Sequence, residues 1–208
     1  MQFLSLLKIP YRTYDFSKFK EVERGRERRC FVSDRHPRLL FKCASFDECK
    51  QSLREYAYYK HLQHRKVPLT HLPHFITAFK TDSVLVTVQQ FIKEDKHYEV
   101  KSLEDELRLG TLDEDKLQKA FDEFKAYIIK WRIITNDMFN HNFLLKIRKD
   151  GERQGEYRLV LIDGLGAVSF IPLANYVRFL ALKRINRQCL KFVQSVSAAS
   201  GGKINLKL

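Results

Sequence analysis

Apolar positions recur along this chain with two periods, and the change from one to the other divides it into elements. Residues 38–44 alternate: Leu40, Lys42 and Ala44 fall on one face and Leu39, Phe41 and Cys43 on the other, which predicts a strand. Ser45-Phe46-Asp47-Glu48 then has the form of a capping box and predicts a helix start, with Glu55, Tyr59 and Leu62 on one stripe behind it. Pro68 and Pro73 interrupt the chain, and residues 75–80 and 84–88 predict two more strands. Residues 93–109 are charged, with a short helix starting at Ser102-Leu103-Glu104-Asp105. Thr111-Leu112-Asp113-Glu114 opens a longer helix, in which Leu117, Phe121, Phe124, Ile128 and Trp131 form one stripe of core-packing residues. After Pro172 the pattern predicts a basic amphipathic helix over about 174–193. Leu180, Ile185, Cys189 and Phe192 face inward there, and Lys183, Arg184, Arg187 and Lys191 outward. The tail from about 197 has no pattern and is expected to be mobile. Residues 1–20, mixed apolar and aromatic, read as an irregular strand or cover.

The chemistry concentrates between Ile133 and Gly166. Two apolar runs, 143–147 and 159–162, flank a polar loop containing Lys149-Asp150-Gly151, which is a hairpin signal. Asp137 precedes Asn142 by five residues at the entry to the first strand, and Asp163 leaves the second directly, followed by Gly164 and Gly166. Such a hairpin brings Asp137, Asn142 and Asp163 to one end. Each alone reads as a turn or strand-end residue. Together they match a phosphoryl-transfer pattern, with Asn142 and Asp163 as hard oxygen ligands for Mg²⁺ and Asp137 to orient a hydroxyl and take its proton. Lys42, on a face otherwise made of Leu and Ala, either meets an anion or extends outward from an edge strand. Glu55 points partly inward and needs a cation; Lys42 is one candidate, Lys60 and Arg54 the solvent-side alternatives.

Composition narrows the class. At 208 residues the chain is one domain or one two-lobed unit, and 44% hydrophobic content supports a core and excludes disorder. The net charge of +13 implies anionic partners, among them nucleotide phosphates, nucleic acid, anionic lipid or acidic glycolipid. The cations are dispersed apart from clusters at 20–29 and 183–191, and no recognition motif supports nucleic acid, which is not the expected partner. The four cysteines show no paired spacing, consistent with a reduced, cytoplasmic setting. The N-terminus does not read as a secretory signal, and no apolar run approaches the roughly 20 residues that span a bilayer. Peripheral contact with an anionic surface remains open.

Five segments carry a resemblance over residues about 20–190: G-R-E-R-R-C-F from Gly25, L-L-F-K-C-A around Lys42, L-R-E-Y-A-Y-Y-K-H-L around Glu55, R-I-I-T-N-D-M-F-N-H-N-F-L-L, and L-I-D-G-L-G-A-V-S-F-I-P-L-A. With these the chain resembles the protein-kinase-like superfamily, and within it the bacterial YrbL family (PhoP regulatory network protein). The resemblance implies an α+β fold, bilobal, with a small antiparallel β N-lobe over about 1–90 and a reduced, mainly helical C-lobe over 91–208 with a catalytic-loop hairpin. It implies ATP and Mg²⁺. Lys42 would hold the α- and β-phosphates, braced by Glu55, and Leu40 would lie against the adenine. Gln90, Phe91 and Ile92 would form the hinge that binds the base through backbone groups, and Asn142 and Asp163 would bind the metal, with Asp137 catalytic. Gly25 would lie in the phosphate loop, Arg26 and Arg29 supplying charge where further glycines are missing; a plain surface hairpin turn is the other reading.

The pattern also departs from that of protein kinases. Asn136, not Arg, precedes Asp137; Phe139 stands where a lysine is usual; Gly164-Leu165 replaces Phe-Gly; and no A-P-E element follows. These departures favour a small or anionic hydroxyl acceptor over a folded protein. The expectation is an ATP- and Mg²⁺-dependent phosphotransferase with an unidentified acceptor. The alternative is a nucleotide-binding or regulatory stress-response protein without catalysis.

Overall fold

Phe41 sits at the centre of the first sheet, and the alternation around it decides which side of the sheet is greasy. The computed structural model describes residues 8–13, 15–25, 27–166 and 177–208. They divide into two units: Met1–Pro68 with Pro73–Ile92, and Leu69–Leu72 with Lys93–Leu208.

The first unit is a five-stranded antiparallel sheet and one helix. Its strands are β1 (Lys20–Arg24), β2 (Arg29–Ser33), β3 (His36–Ser45), β4 (Phe75–Lys80) and β5 (Val84–Gln90), in the order β1-β2-β3-β5-β4. The β3–β5 ladder runs unbroken from Leu39 opposite Gln90 to Ser45 opposite Val84. Because side chains alternate, Phe41, Val86 and Val88 share one face and bury together with Phe79. The rings of Phe16 and Phe19 close over Phe41 edge-on, so the segment before β1 covers this face. The other face carries Lys42, Ala44, Leu85, Thr87 and Gln89, all buried. It meets α1 (Lys50–His64), whose Tyr59 stacks on Phe75 at 5.2 Å. The helix begins later than the expected capping box. Ser45 still pairs with Val84 as the last residue of β3, so it is not available as a cap, and Cys49 takes that position with no side-chain capping bond.

The second unit combines three helices with a three-stranded sheet. Its helices are α2 (Leu103–Leu109), α3 (Glu114–Lys130) and α4 (Arg178–Ala199); its strands are β6 (Tyr98–Ser102), β7 (Phe143–Arg148) and β8 (Tyr157–Leu161), in the order β6-β7-β8. The Ser102 hydroxyl caps α2 by accepting the Asp105 N–H at 3.3 Å, as its sequence predicts. For α3 the cap is Asp113, which accepts from Lys116 N–H at 3.0 Å; Thr111 turns away and donates to Glu106. The stripe Leu117, Phe121, Phe124 and Ile128 is fully buried, and Phe124 meets Phe143 of β7 edge-on. The expected hairpin is present, but β6 extends it to three strands. The Y-E-V-K-S of β6 alternates for only two apolar positions, Tyr98 and Val100, and is half-buried throughout, too short a pattern to announce a strand. In α4 the buried stripe is Ala181, Ile185, Gln188, Cys189, Phe192 and Val196. Leu180, expected inward, is exposed beside it, and the expected start of the helix at 174 lies outside the described residues.

The tail is not the mobile end expected of it. Ile204 and Leu206 are buried, Asn205 N–H donates to Glu114 Oε1 at 2.8 Å, and Lys207 exchanges bonds with the Gln118 amide at 2.7 and 3.1 Å. Two alternating aliphatic side chains are too short a pattern to reveal this docking. Truncation after Ser200 exposes the surface beneath them, about 2–4 kcal/mol of burial. It should lower the apparent melting temperature by about 5–10 °C in a thermal scan, whereas a mobile tail predicts no change.

Candidate functional site

In the first unit the buried polar side chains gather around Glu55. Lys42, on the face opposite the Phe41 cluster, reaches Glu55 Oε1 with its ammonium at 3.3 Å; both side chains are about 5% exposed. The other carboxylate oxygen takes a charge-assisted bond from Arg28, itself buried. The sequence reading placed Lys42 against Glu55 but passed over Arg28. Its neighbour Arg29 instead turns to the half-buried Glu21, and Arg26 lies outside the described residues. Arg28 lies just before β2, two residues from Cys30, which pairs with Lys42 in the sheet. On β5, Thr87 stands directly opposite Lys42, and among the described residues its buried hydroxyl has no hydrogen-bond partner.

The remaining expected residues of this unit divide by what their backbone already does. Leu40 is half-buried opposite Gln89. Gln90 N–H donates to His74 O at 2.7 Å and Phe91 N–H to Arg38 O at 2.8 Å. Those two donors are used inside the unit. Gly25 closes the β1–β2 turn, its N–H on Arg28 O at 2.8 Å. An added Cβ there would meet only that oxygen, at an ordinary 3.5 Å, so the turn itself makes no demand for glycine.

In the second unit the loop after α3 pairs back on the chain that leaves β8. Thr135 bridges Leu165, Asn136 N–H donates to Gly164 O at 2.8 Å, and Gly166 N–H donates to Ile134 O at 2.9 Å. This short ladder sets Asp137 against Gly164. Gly164 has φ +82°, and a Cβ on it would stand 2.8 Å from Asp137 O and 2.9 Å from Asp137 Cβ. Only glycine fits. Asn142 is fixed from two sides: its Nδ2 donates to Asp137 O at 3.0 Å, and its carbonyl accepts Ile162 N–H at 2.9 Å. The first bond aims the amide oxygen away from Asp137; the second sets Asn142 beside Asp163. Asp137, Asn142 and Asp163 therefore converge as the hairpin predicts. Two oxygen donors, Asn142 and Asp163, suit an ion that brings waters and phosphate oxygens of its own. Among the described residues no group of three or more His, Cys, Asp and Glu is arranged to hold a metal.

Helix α4 holds this loop, which sequence reasoning missed. Gln188 is buried and spans Asp137: its Nε2 donates to Asn136 O at 2.9 Å and its Oε1 accepts Met138 N–H at 3.5 Å. Arg184, expected outward, donates to Thr135 O at 3.3 Å and to the Asn136 side chain. Ser195 Oγ accepts Asn140 N–H at 3.1 Å. A polar residue on the inward stripe, Gln188, was the available signal. Burial pushes the Cys43 thiol up to about 12 and the Cys189 thiol up to about 11, far from a thiolate at neutral pH.

This fold, with a buried Lys–Glu pair in one unit and an Asp–Asn–Asp loop in the other, is that of the protein-kinase-like superfamily. Residues 15–197 match the family described as PhoP regulatory network protein YrbL, and the chain belongs to that family. Among solved structures it is similar to the BubR1 kinase domain, with a TM-score of 0.51 and 16% identity over 81% of this chain and 52% of that one. A structure of WbdD with a kinase inhibitor is also matched, with a TM-score of 0.44 and 14% identity over 82% of this chain and 45% of that one. The chain thus spans about half the length of the structures it matches. No curated protein matches it by sequence.

The two glycines separate by substitution. Gly164→Ala forces the Asp137 backbone aside and should cost about 1–3 kcal/mol in urea denaturation. Gly25→Ala should stay within about 0.5 kcal/mol. Equal effects at the two positions would contradict the assigned contacts.

Proposed function

We propose that the protein is an ATP- and Mg²⁺-dependent phosphotransferase that acts on a small or anionic hydroxyl acceptor. The observation that carries this reading is the convergence of Asp137, Asn142 and Asp163 on a loop whose backbone is fixed on both sides of Asp137.

Each residue has work suited to its setting. Lys42, braced by Glu55, places a positive charge on the α- and β-phosphates. Arg28, on the other oxygen of Glu55, keeps that carboxylate from drifting toward the solvent. Gly25 matters through what approaches it, since its own turn does not need it; an absent side chain lets backbone come close to phosphate. Ile92 N–H and the neighbouring carbonyls receive the base edge, with Leu40 against its plane. Asn142 and Asp163 hold Mg²⁺, which neutralises phosphate charge when bound. Asp137 orients the acceptor hydroxyl and accepts its proton as the terminal phosphoryl leaves the β-phosphate oxygen, giving ADP and a phosphate ester. Phosphoryl transfer leaves little covalent work to the protein, so positioning and charge supply most of the acceleration.

Calorimetry separates the roles. The native protein should bind ATP with Mg²⁺ and lose at least about tenfold in affinity without it. Asp163→Ala should bind poorly in either condition. Asp137→Asn should bind Mg²⁺–ATP nearly as the native protein does, while slow transfer of the terminal phosphoryl to water falls by about 10²–10⁴. An absence of native binding at millimolar ATP would overturn the proposal. Binding that ignores both magnesium and Asp163→Ala would leave a regulatory nucleotide pocket in its place.

A further inference from the structure

Four residues of α4 form a stripe along the catalytic loop: Arg184, Gln188, Lys191 and Ser195, spaced four, three and four apart. Three of them are committed to that loop. Arg184 bonds Thr135 and Asn136, Gln188 bonds Asn136 and Met138, and Ser195 accepts from Asn140. Lys191 is the exception. Among the described residues it makes no ion pair and no hydrogen bond, and its ammonium stands 5.8 Å from the centre of the Phe139 ring.

The loop itself shows which way that charge faces. Met138 and Asn140 are buried, whereas Asp137, Phe139 and His141 alternate with them on the accessible side. Phe139 has extended backbone, φ −102° and ψ 156°, and leads into a single 3₁₀ turn over Asn140–Asn142 that carries His141. Its ring lies parallel to that of His141, with 12° between the planes and 5.8 Å between the centres. So the side of the loop that presents Asp137 also presents two stacked rings, with an uncommitted ammonium over one of them. Arg187, one turn before Lys191, is exposed nearby in the helix. No Asp or Glu occurs in the 22 residues of α4 to neutralise either cation.

We propose that Lys191, with Phe139 and His141, forms the acceptor subsite and holds an anionic group of the acceptor, a phosphate or a carboxylate, beside Asp137. This rests on the phosphotransferase reading and specifies its substrate class: a hydroxyl compound that already carries negative charge. The rings supply an apolar plate for the carbon skeleton. The ammonium supplies a point charge on a flexible stem, suited to an anion whose exact shape varies. Kinetically, the uncompensated charge of α4 draws such acceptors toward the loop, an effect that added salt weakens.

The test needs no nucleotide, so it reads the subsite independently of ATP binding. Proton NMR of the His141 ring is followed in the full chain during titration with glycerol, glycerate and glycerol phosphate. These three share a hydroxyl-bearing skeleton and differ in charge and head group. The two anions should move the His141 signals saturably at millimolar concentration, and glycerol should not; the tighter of the two identifies the head group. Lys191→Gln should weaken the anion response at least about tenfold, and Lys191→Arg should restore it. Arg24→Gln, which removes an equal charge from the other unit, should leave it unchanged. A response to glycerol equal to that of the anions, no response in the native protein, or an unchanged titration in Lys191→Gln would overturn the proposal. If the anions bind as expected but Mg²⁺–ATP does not, the subsite stands and the phosphotransferase reading falls.

Discussion

The close approach of Gly164 to Asp137 is the constraint on which the second unit depends. A residue with φ +82° and no space for a Cβ lets two chain segments, 134–136 and 164–166, lie against each other. The rest follows from that contact. The hairpin of β7 and β8 must return to the point where it left, which puts Asp163 beside Asn142. The Asn142 side chain then finds the Asp137 carbonyl, and Gln188 secures the peptides on either side. None of these bonds is strong alone; a buried neutral hydrogen bond contributes about 1 kcal/mol. They act together on one short loop, and the result is a backbone fixed on both sides of Asp137.

A different economy governs the first unit. A carboxylate as buried as Glu55 is costly to leave unpaired, and removing a partner from such a pair typically costs about 3–5 kcal/mol. Glu55 uses both oxygens, one for Lys42 and one for Arg28. The arrangement explains why α1 must dock with that face against the sheet, and why Lys42 can occupy a face otherwise lined by Ala44 and Leu85. The opposite face solves its problem without charge, by folding Phe16 and Phe19 over Phe41. The two faces of one sheet are therefore held by different forces.

How much of this was legible in the sequence depends on the range of the interaction. Alternation gave β3, short apolar runs bounded by breaks and turn signals gave β4, β5, β7 and β8, and the 3.6-residue stripe gave α3, because burial writes itself into a local pattern. The D-x-x-x-x-N spacing with a following Asp was enough to assemble Asp137, Asn142 and Asp163, since one hairpin connects all three. What failed was whatever depended on a distant partner. The capping box at Ser45 was overridden by pairing with Val84. The tail was taken as mobile because its anchors, Glu114 and Gln118, lie about 90 residues away. Arg28 and Gln188 were missed for the same reason: a polar side chain on an inward position was the only local signal, and their partners, Glu55 and the peptides flanking Asp137, lie in other segments. Leu180 and Arg184 were misplaced by one step around α4, a boundary error that apolar counting cannot resolve when Leu and Arg both flank the true stripe.

The claim at the centre of this account is that Asn142 and Asp163 hold a divalent ion together with nucleotide phosphates. Replacing Mg²⁺ with paramagnetic Mn²⁺ tests it directly through the loss of amide NMR signals. With ATP present, substoichiometric Mn²⁺ should first broaden the amides of Asn142, Asp163 and Gly164. Without ATP the same addition should leave them sharp, because two protein oxygens are too few to hold the ion alone. Broadening that begins instead at surface carboxylates such as Glu94, Glu104 and Asp150, or that ignores the nucleotide, would contradict it.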